Sequence, residues 1–85
     1  MTRQDILPTI AEIIRDVLDQ QDLVIEAHTN ETDVEAWDSF NHINIVVAIE
    51  ARFGIRFVTA EIEQLKNVGE LVSLVSEKIG AHRAI

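Results

Sequence analysis

The sequence predicts an all-α fold: a small four-helix bundle of three main helices and a short third helix, with a long loop between the first and second helices. Apolar residues recur at helical spacing in separate stretches of the chain, and we assign no strand. The 85 residues support one domain over 1–85, because so short a chain buries only one modest core. We expect it to be ordered from about 3 to 79, with a tail at 80–85.

The first helix is predicted from Arg3 to Leu18, with Thr2 as its N-cap. Its apolar positions follow a helical period: Ile6, Ile10, Ile13, Ile14 and Val17. Pro8 interrupts the pattern, because an interior proline removes a backbone hydrogen bond and crowds the preceding turn. We therefore expect the helix either to kink at Pro8 or to begin near it.

A long acidic loop is predicted at 19–38. From Asp16 to Asp38 the chain carries acidic residues without a single Lys or Arg. These acids either keep the loop solvated or steer a basic partner toward it. We expect four apolar residues to hold the loop on the core: Leu23, Val24, Ile25 and Val34. A loop this long without secondary structure is unusual unless it has a function.

The second helix is predicted from about Ser39 to Phe53, capped by Asp38 and ended by Gly54. Steps of 100° per residue divide its apolar residues into two stripes. One stripe contains Ile45, Ala48, Ile49 and Phe53, and the other contains Phe40, Ile43, Val47 and Glu50. Because an unpaired carboxylate is costly to bury, we expect the second stripe to face solvent and to dock other proteins. The alternative is a core that wraps the helix on both sides.

A short third helix is predicted after Thr59. The segment 60–65 contains Ile62 and Leu65, which can reach the core from one or two helical turns.

The last helix begins with a pattern similar to a capping box, formed by Asn67 and Glu70. Its apolar residues lie on one face: Val68, Leu71, Val72, Val75 and Ile79. Gly80 is expected to end the helix.

Composition limits the classes of function. The net charge of −8 repels nucleic acid and favours proteins with basic surfaces. The absence of cysteine excludes disulfides and thiolate metal sites and suits a reducing cytoplasm. The N-terminus lacks the apolar run of a signal peptide, and no stretch is long enough to span a membrane. We therefore expect a cytoplasmic protein.

The candidate functional residue is Ser39, where the acidic loop meets the second helix. Amide groups and the helix dipole favour a phosphate at such a position. A serine hydrolase with His42 as base is a weaker hypothesis, because no oxyanion hole or orienting carboxylate is evident. No metal site is expected, because the histidines match no zinc spacing and the acids lack the glycine of a calcium loop.

A family resemblance strengthens the interest in Ser39. The run Asp38-Ser39-Phe40 precedes an apolar helix that closes with residues 50–55. In this arrangement the chain resembles the acyl carrier proteins, from the first helix to about Ile79. The resemblance implies that Ser39 carries 4′-phosphopantetheine from coenzyme A, whose thiol holds acyl groups as thioesters. It also implies that Asp38 assists recognition by a magnesium-dependent phosphopantetheinyl transferase.

The chain departs from the usual pattern of that family around the serine. Phe40 replaces the usual leucine, a variation that also appears in D-alanyl carrier proteins. Trp37 stands where a glycine is common, and we expect it to cover the core or to shape the cargo entrance. Carriers of fatty-acid synthesis usually place acids early in the second helix, where this chain has Asn41 and Asn44. A dedicated pathway, such as polyketide synthesis, is therefore favoured.

The resulting prediction is a monomeric carrier protein and not an enzyme. It would shuttle acyl groups on Ser39 and dock partners through Phe40, Ile43, Val47 and Glu50. The expected partners are a phosphopantetheinyl transferase and acyl-loading and acyl-transfer enzymes with basic or apolar docking surfaces. The alternatives are a peptidyl or D-alanyl-type carrier of an activated amino acid, or an unmodified helical adaptor.

Overall fold

The computed structural model describes residues 3–83, and the predicted all-α architecture with a long first loop is confirmed. Its helices are α1 (Arg3–Leu18), α2 (Ser39–Phe53), α3 (Thr59–Glu63) and α4 (Val68–Arg83). A short 3-10 helix, Glu31–Asp33, lies in the loop between α1 and α2. Within residues 3–83 there is no strand, and no helix is both long and apolar enough to cross a lipid bilayer.

Helix α1 occupies the centre of the fold, because it packs against both α2 and α4. Ile6, Ile10 and Ile14 recur every four residues and are fully buried on its inner face. The helix begins at Arg3 and continues through Pro8, so the alternative start near Pro8 is wrong. Pro8 is exposed and lies near the helix start, where it removes a single backbone hydrogen bond. The predicted cap, Thr2, lies outside the described residues.

The loop at 19–38 is ordered by hydrogen bonds to its own backbone. The buried hydroxyl of Thr29 accepts a hydrogen bond from the Glu26 amide at 2.9 Å. The Asn30 side chain accepts hydrogen bonds from the Thr32 and Asp33 amides and caps the 3-10 helix. Polar side chains therefore replace regular secondary structure in satisfying this part of the backbone.

Apolar side chains attach the same loop to the core, largely as predicted. Ile25 and Val34 are buried, and Leu23 packs against the core with part of its surface exposed. The prediction for Val24 is wrong, because its side chain is 74% exposed. Successive side chains of an extended segment point in opposite directions, so Val24 faces away when its two neighbours face the core.

Helix α2 has the predicted bounds and caps. The Asp38 side chain caps its first turn, and Gly54 ends it at a φ of 67°, a left-handed conformation that glycine adopts without strain. Ile45 and Ile49 are fully buried, as the first stripe predicts. Val46 is also buried, which the division into stripes did not predict.

Helix α3 is shorter than the predicted segment, because it ends at Glu63. Leu65 still packs against the core from the connection that follows. None of the α3 residues is buried, and a charged pair links the helix to α4: Lys78 Nζ lies 2.9 Å from Glu61 Oε1. A hydrogen bond from the Val58 amide, assisted by Lys78, lowers the pKa of Glu61.

The start of α4 is joined directly to the acidic loop. The Val68 amide donates to the Thr29 carbonyl at 2.8 Å, and the Gly69 amide donates to the Ala27 carbonyl at 2.7 Å. A Cβ at Gly69 would lie 3.0 Å from that Ala27 oxygen, closer than an ordinary van der Waals contact, so the close approach favours glycine. Two amides that a helix start leaves without helical partners are thereby satisfied.

The remaining predictions for α4 have mixed outcomes. Asn67 Oδ1 accepts the Glu70 amide as expected, but the Glu70 carboxylate accepts the Lys66 amide and not that of Asn67. The predicted end at Gly80 is wrong, because the helix continues to Arg83. Gly80 is exposed and tolerated within the helix, where no neighbour approaches the position of its Cβ.

Candidate functional site

The hydroxyl of Ser39 is presented at the first residue of α2, and the side chain is exposed. Among the described residues, no hydrogen bond occupies this hydroxyl. Asp38, also exposed, precedes it and accepts the Asn41 amide through Oδ1 at 2.8 Å. An anion attached to Ser39 would lie at the positive end of the helix dipole.

Two side-chain hydrogen bonds fix the junction between the loop and α2. Asn41 Nδ2 donates to the Ala36 carbonyl at 2.8 Å. Trp37 Nε1 donates to His42 Nδ1 at 3.1 Å, and the two rings stack with centroids 6.0 Å apart. Both bonds join residues before Ser39 to residues after it. Ser39 therefore lies on a backbone that is held on both sides.

The hydrogen bond between Trp37 and His42 argues against the serine hydrolase hypothesis. The lone pair of His42 Nδ1 is occupied by the indole hydrogen, and in this arrangement the ring proton lies on Nε2. In this tautomer His42 has no free lone pair with which to accept the Ser39 proton. The arrangement therefore does not provide the base that a serine nucleophile needs.

The second stripe of α2 lies in solvent, as predicted. Phe40 is 72% exposed, Ile43 62% and Val47 56%. The alternative of a core on both sides of the helix is therefore wrong.

Glu50, the last residue of that stripe, has a different environment. It is half-buried, and its Oε2 accepts the Phe57 amide at 2.8 Å. This carboxylate stabilises the connection between α2 and α3.

A cleft of about 220 Å³ opens beside the junction. Trp37 and His42 line it together with the apolar side chains of Ile62, Leu65 and Leu71. Trp37 is 6% exposed and packs in the core, so it both covers the core and shapes this cleft. Within the described residues, no group of three or more His, Asp or Glu is arranged to hold a metal ion.

Comparison with known proteins identifies the family. A family model described as a phosphopantetheine attachment site matches residues 8–75. The acyl carrier protein of Acidothermus cellulolyticus is 32% identical over 76 residues, which cover 89% of this chain and 90% of that protein. The chain belongs to the acyl carrier protein family. The acyl carrier protein of Petrotoga mobilis is also 32% identical, over 93% of each chain.

A solved structure supports the same membership for this carrier protein. The holo acyl carrier protein from Geobacter metallireducens superposes with a TM-score of 0.87 at 35% identity, over 93% of this chain and 91% of that one. Members of the family are carriers and not enzymes, and they hold 4′-phosphopantetheine covalently. This protein is therefore also a carrier with a covalent 4′-phosphopantetheine and not an enzyme, and the alternative of an unmodified adaptor is disfavoured.

The contacts that organise the junction were not predicted from the sequence. Helix capping predicts the position of Asp38 and Ser39 at the start of α2, and periodicity predicts the exposed stripe; both are local patterns. The Trp37–His42 bond joins residues five positions apart across a change from loop to helix, for which no sequence pattern exists.

Proposed function

We propose that this protein carries its 4′-phosphopantetheine arm on Ser39 and shuttles thioester-bound acyl intermediates between enzymes of a dedicated biosynthetic pathway. The observation that carries this proposal is the exposed hydroxyl of Ser39 at the start of α2, in a chain whose family has a phosphopantetheine attachment site. The exposed side chain leaves room for a transferase to reach the hydroxyl, and the helix start favours the phosphodiester that results.

The residues around Ser39 have separable roles in this proposal. Asp38 is exposed and uses Oδ1 to cap α2, which leaves its second carboxylate oxygen for the magnesium-dependent transferase. Trp37 and Asn41 hold the serine in position through their hydrogen bonds. When attached, the arm supplies a terminal thiol that holds the acyl group as a thioester.

The pathway is proposed from the polarity of α2. Asn41 and Asn44 stand where carriers of fatty-acid synthesis usually have acids, so docking to general fatty-acid enzymes is disfavoured. Phe40, Ile43 and Val47, with Glu50 at the end of the stripe, are proposed as the docking residues. A carrier of an activated amino acid would use the same arm and would differ in the enzyme that loads it. We place the protein in the cytoplasm, where coenzyme A and such enzymes occur.

Intact-mass spectrometry tests the attachment. The protein is incubated with a broad-specificity phosphopantetheinyl transferase, Mg²⁺ and coenzyme A, in parallel with Ser39→Ala and with Ser76→Ala as a matched serine control. We expect the wild type and Ser76→Ala to gain one phosphopantetheine and Ser39→Ala to gain none. A gain in Ser39→Ala, or no gain in folded wild-type protein, would contradict the proposal.

A further inference from the structure

From Ser39 to Ile49, α2 carries no Asp, Glu, Lys or Arg, although the whole chain has a net charge of −8. We define the α2 face as its exposed residues after Ser39 and before Arg52: Phe40, Ile43, Asn44, Val47 and Ala51. The face begins next to Ser39, so an enzyme that acts on this serine contacts it.

The nearest ionisable groups on α2 do not supply a charge to this face. Glu50 is half-buried, and its carboxylate already accepts the Phe57 amide. His42 is not among the exposed residues of this face; its Nδ1 accepts the Trp37 indole hydrogen, and its side chain lines the cleft. Arg52 is exposed but lies 100° around the helix axis from Ala51, on the flank of the face.

We infer that the α2 face binds an apolar enzyme surface without a basic cluster, and that the transferase that modifies Ser39 presents such a surface. This inference rests on the proposed function and adds the chemistry of the partner. Charge complementarity supports it, because a basic docking surface would lose its hydration against Phe40, Ile43 and Val47 and gain no carboxylate in return.

The size of the face and the charge of the chain argue against a second copy as its occupant. Three apolar side chains of this kind expose on the order of 300 Å² together, well below the roughly 800 Å² that each partner of a stable complex buries. Two copies with a charge of −8 each would also repel one another. The face therefore suits a transient complex with an enzyme.

Transfer kinetics measure this docking directly. The probe is a broad-specificity phosphopantetheinyl transferase with Mg²⁺ and coenzyme A, and intact mass gives the rate of modification. Val47→Gln and Val47→Glu both remove apolar contact, whereas only the second adds a charge. Both residues form helix readily, so the fold is preserved. We expect KM to rise about fivefold for Val47→Gln and at least as much for Val47→Glu, with kcat nearly unchanged.

A second substitution distinguishes an apolar partner surface from a basic one, because KM should change in opposite directions in the two cases. Asn44→Asp changes one atom and places a carboxylate on the α2 face. An apolar partner surface must desolvate this carboxylate, so we expect KM to rise, whereas a basic surface would pair with it and KM would fall. Gln20→Glu adds the same charge at an exposed position outside α2 and should leave KM unchanged.

Salt provides an independent readout. For the wild type we expect kcat/KM to change less than about twofold between 50 and 500 mM NaCl, because apolar docking is not screened.

Three results would overturn the inference while leaving attachment at Ser39 intact: an unchanged KM in both Val47 variants, a lower KM in Asn44→Asp, or a loss of kcat/KM of roughly tenfold or more with salt. Dimerisation that Val47→Glu abolishes, measured by light scattering, would also overturn it. A wild-type protein that gains no arm would overturn the proposed function together with the inference.

Discussion

Presentation of Ser39 depends on a few polar contacts around it. In the sequence Ser39 lies between Trp37 and His42, whose rings are joined by a hydrogen bond and stacked. The Trp37 side chain is buried in the core, so its indole N–H needs an acceptor inside the protein. His42 provides that acceptor from α2, and the pair thereby fixes the direction in which the loop enters the helix.

Removing His42 should therefore reduce stability through Trp37. We expect His42→Ala to lower the free energy of unfolding by about 1–3 kcal/mol, because a buried N–H loses its partner. Urea denaturation followed by circular dichroism measures this value. In a Trp37→Phe background no N–H is left unpaired, so His42→Ala should lower the free energy of unfolding clearly less. Equal losses in the two backgrounds would show that the hydrogen bond is not the cause.

At the level of the helices, local patterns predicted more than contacts between elements. The bounds and caps of α2 agree with the structure because Asp38 and Gly54 act within one turn of the helix they limit. The end of α4 was misplaced at Gly80 because a single glycine inside a packed helix costs only about 1 kcal/mol relative to alanine. The joining of α4 to the acidic loop could not be predicted, because it pairs backbone groups about 40 positions apart.

The two glycines of α4 provide a matched test of the contact between α4 and the acidic loop. Gly80→Ala should raise the free energy of unfolding by about 0.5–1 kcal/mol, because nothing lies within 4 Å of the new Cβ. Gly69→Ala should lower it by about 1–3 kcal/mol, because the new Cβ meets the Ala27 carbonyl oxygen at 3.0 Å. Urea denaturation of both variants gives the comparison. Equal stabilisation by both substitutions would contradict the close approach of loop and helix.

The link between α3 and α4 should depend on pH. The hydrogen bond from the Val58 amide, and then Lys78, hold the pKa of Glu61 below its ordinary value of 4.5. Because the folded-state pKa is the lower one, the ionised carboxylate contributes its stability in full above about pH 4.5, and this contribution is lost as the pH falls through the folded pKa.

Glu61→Gln removes this ionisable group and tests the predicted direction of the change in stability with pH. We expect the variant to be less stable than the wild type at pH 7 and the difference to shrink as the pH falls below 4.5. Thermal unfolding across pH 3–7 measures it, with Glu12→Gln on the exposed side of α1 as a control. A difference that stays constant over this range would exclude the ionised pair as its source.

The whole molecule separates its charge from its docking surface. The acids are concentrated in and around the loop before α2, whereas residues 39–49 of α2 carry none. Composition and periodicity predicted the all-α class, the acidic loop and the exposed stripe, because each depends on residue type and spacing alone. The cleft lined by Trp37 and His42 could not be predicted, because Trp37, Ile62 and Leu71 meet there only through the tertiary fold.

The central claim is that Ser39 bears the arm. Fragmentation mass spectrometry of the modified wild-type protein tests it most directly, because the peptide fragments locate the added group. We predict that phosphopantetheine is found on Ser39 alone. Its attachment to any other residue, or a folded protein that no transferase modifies, would contradict the claim.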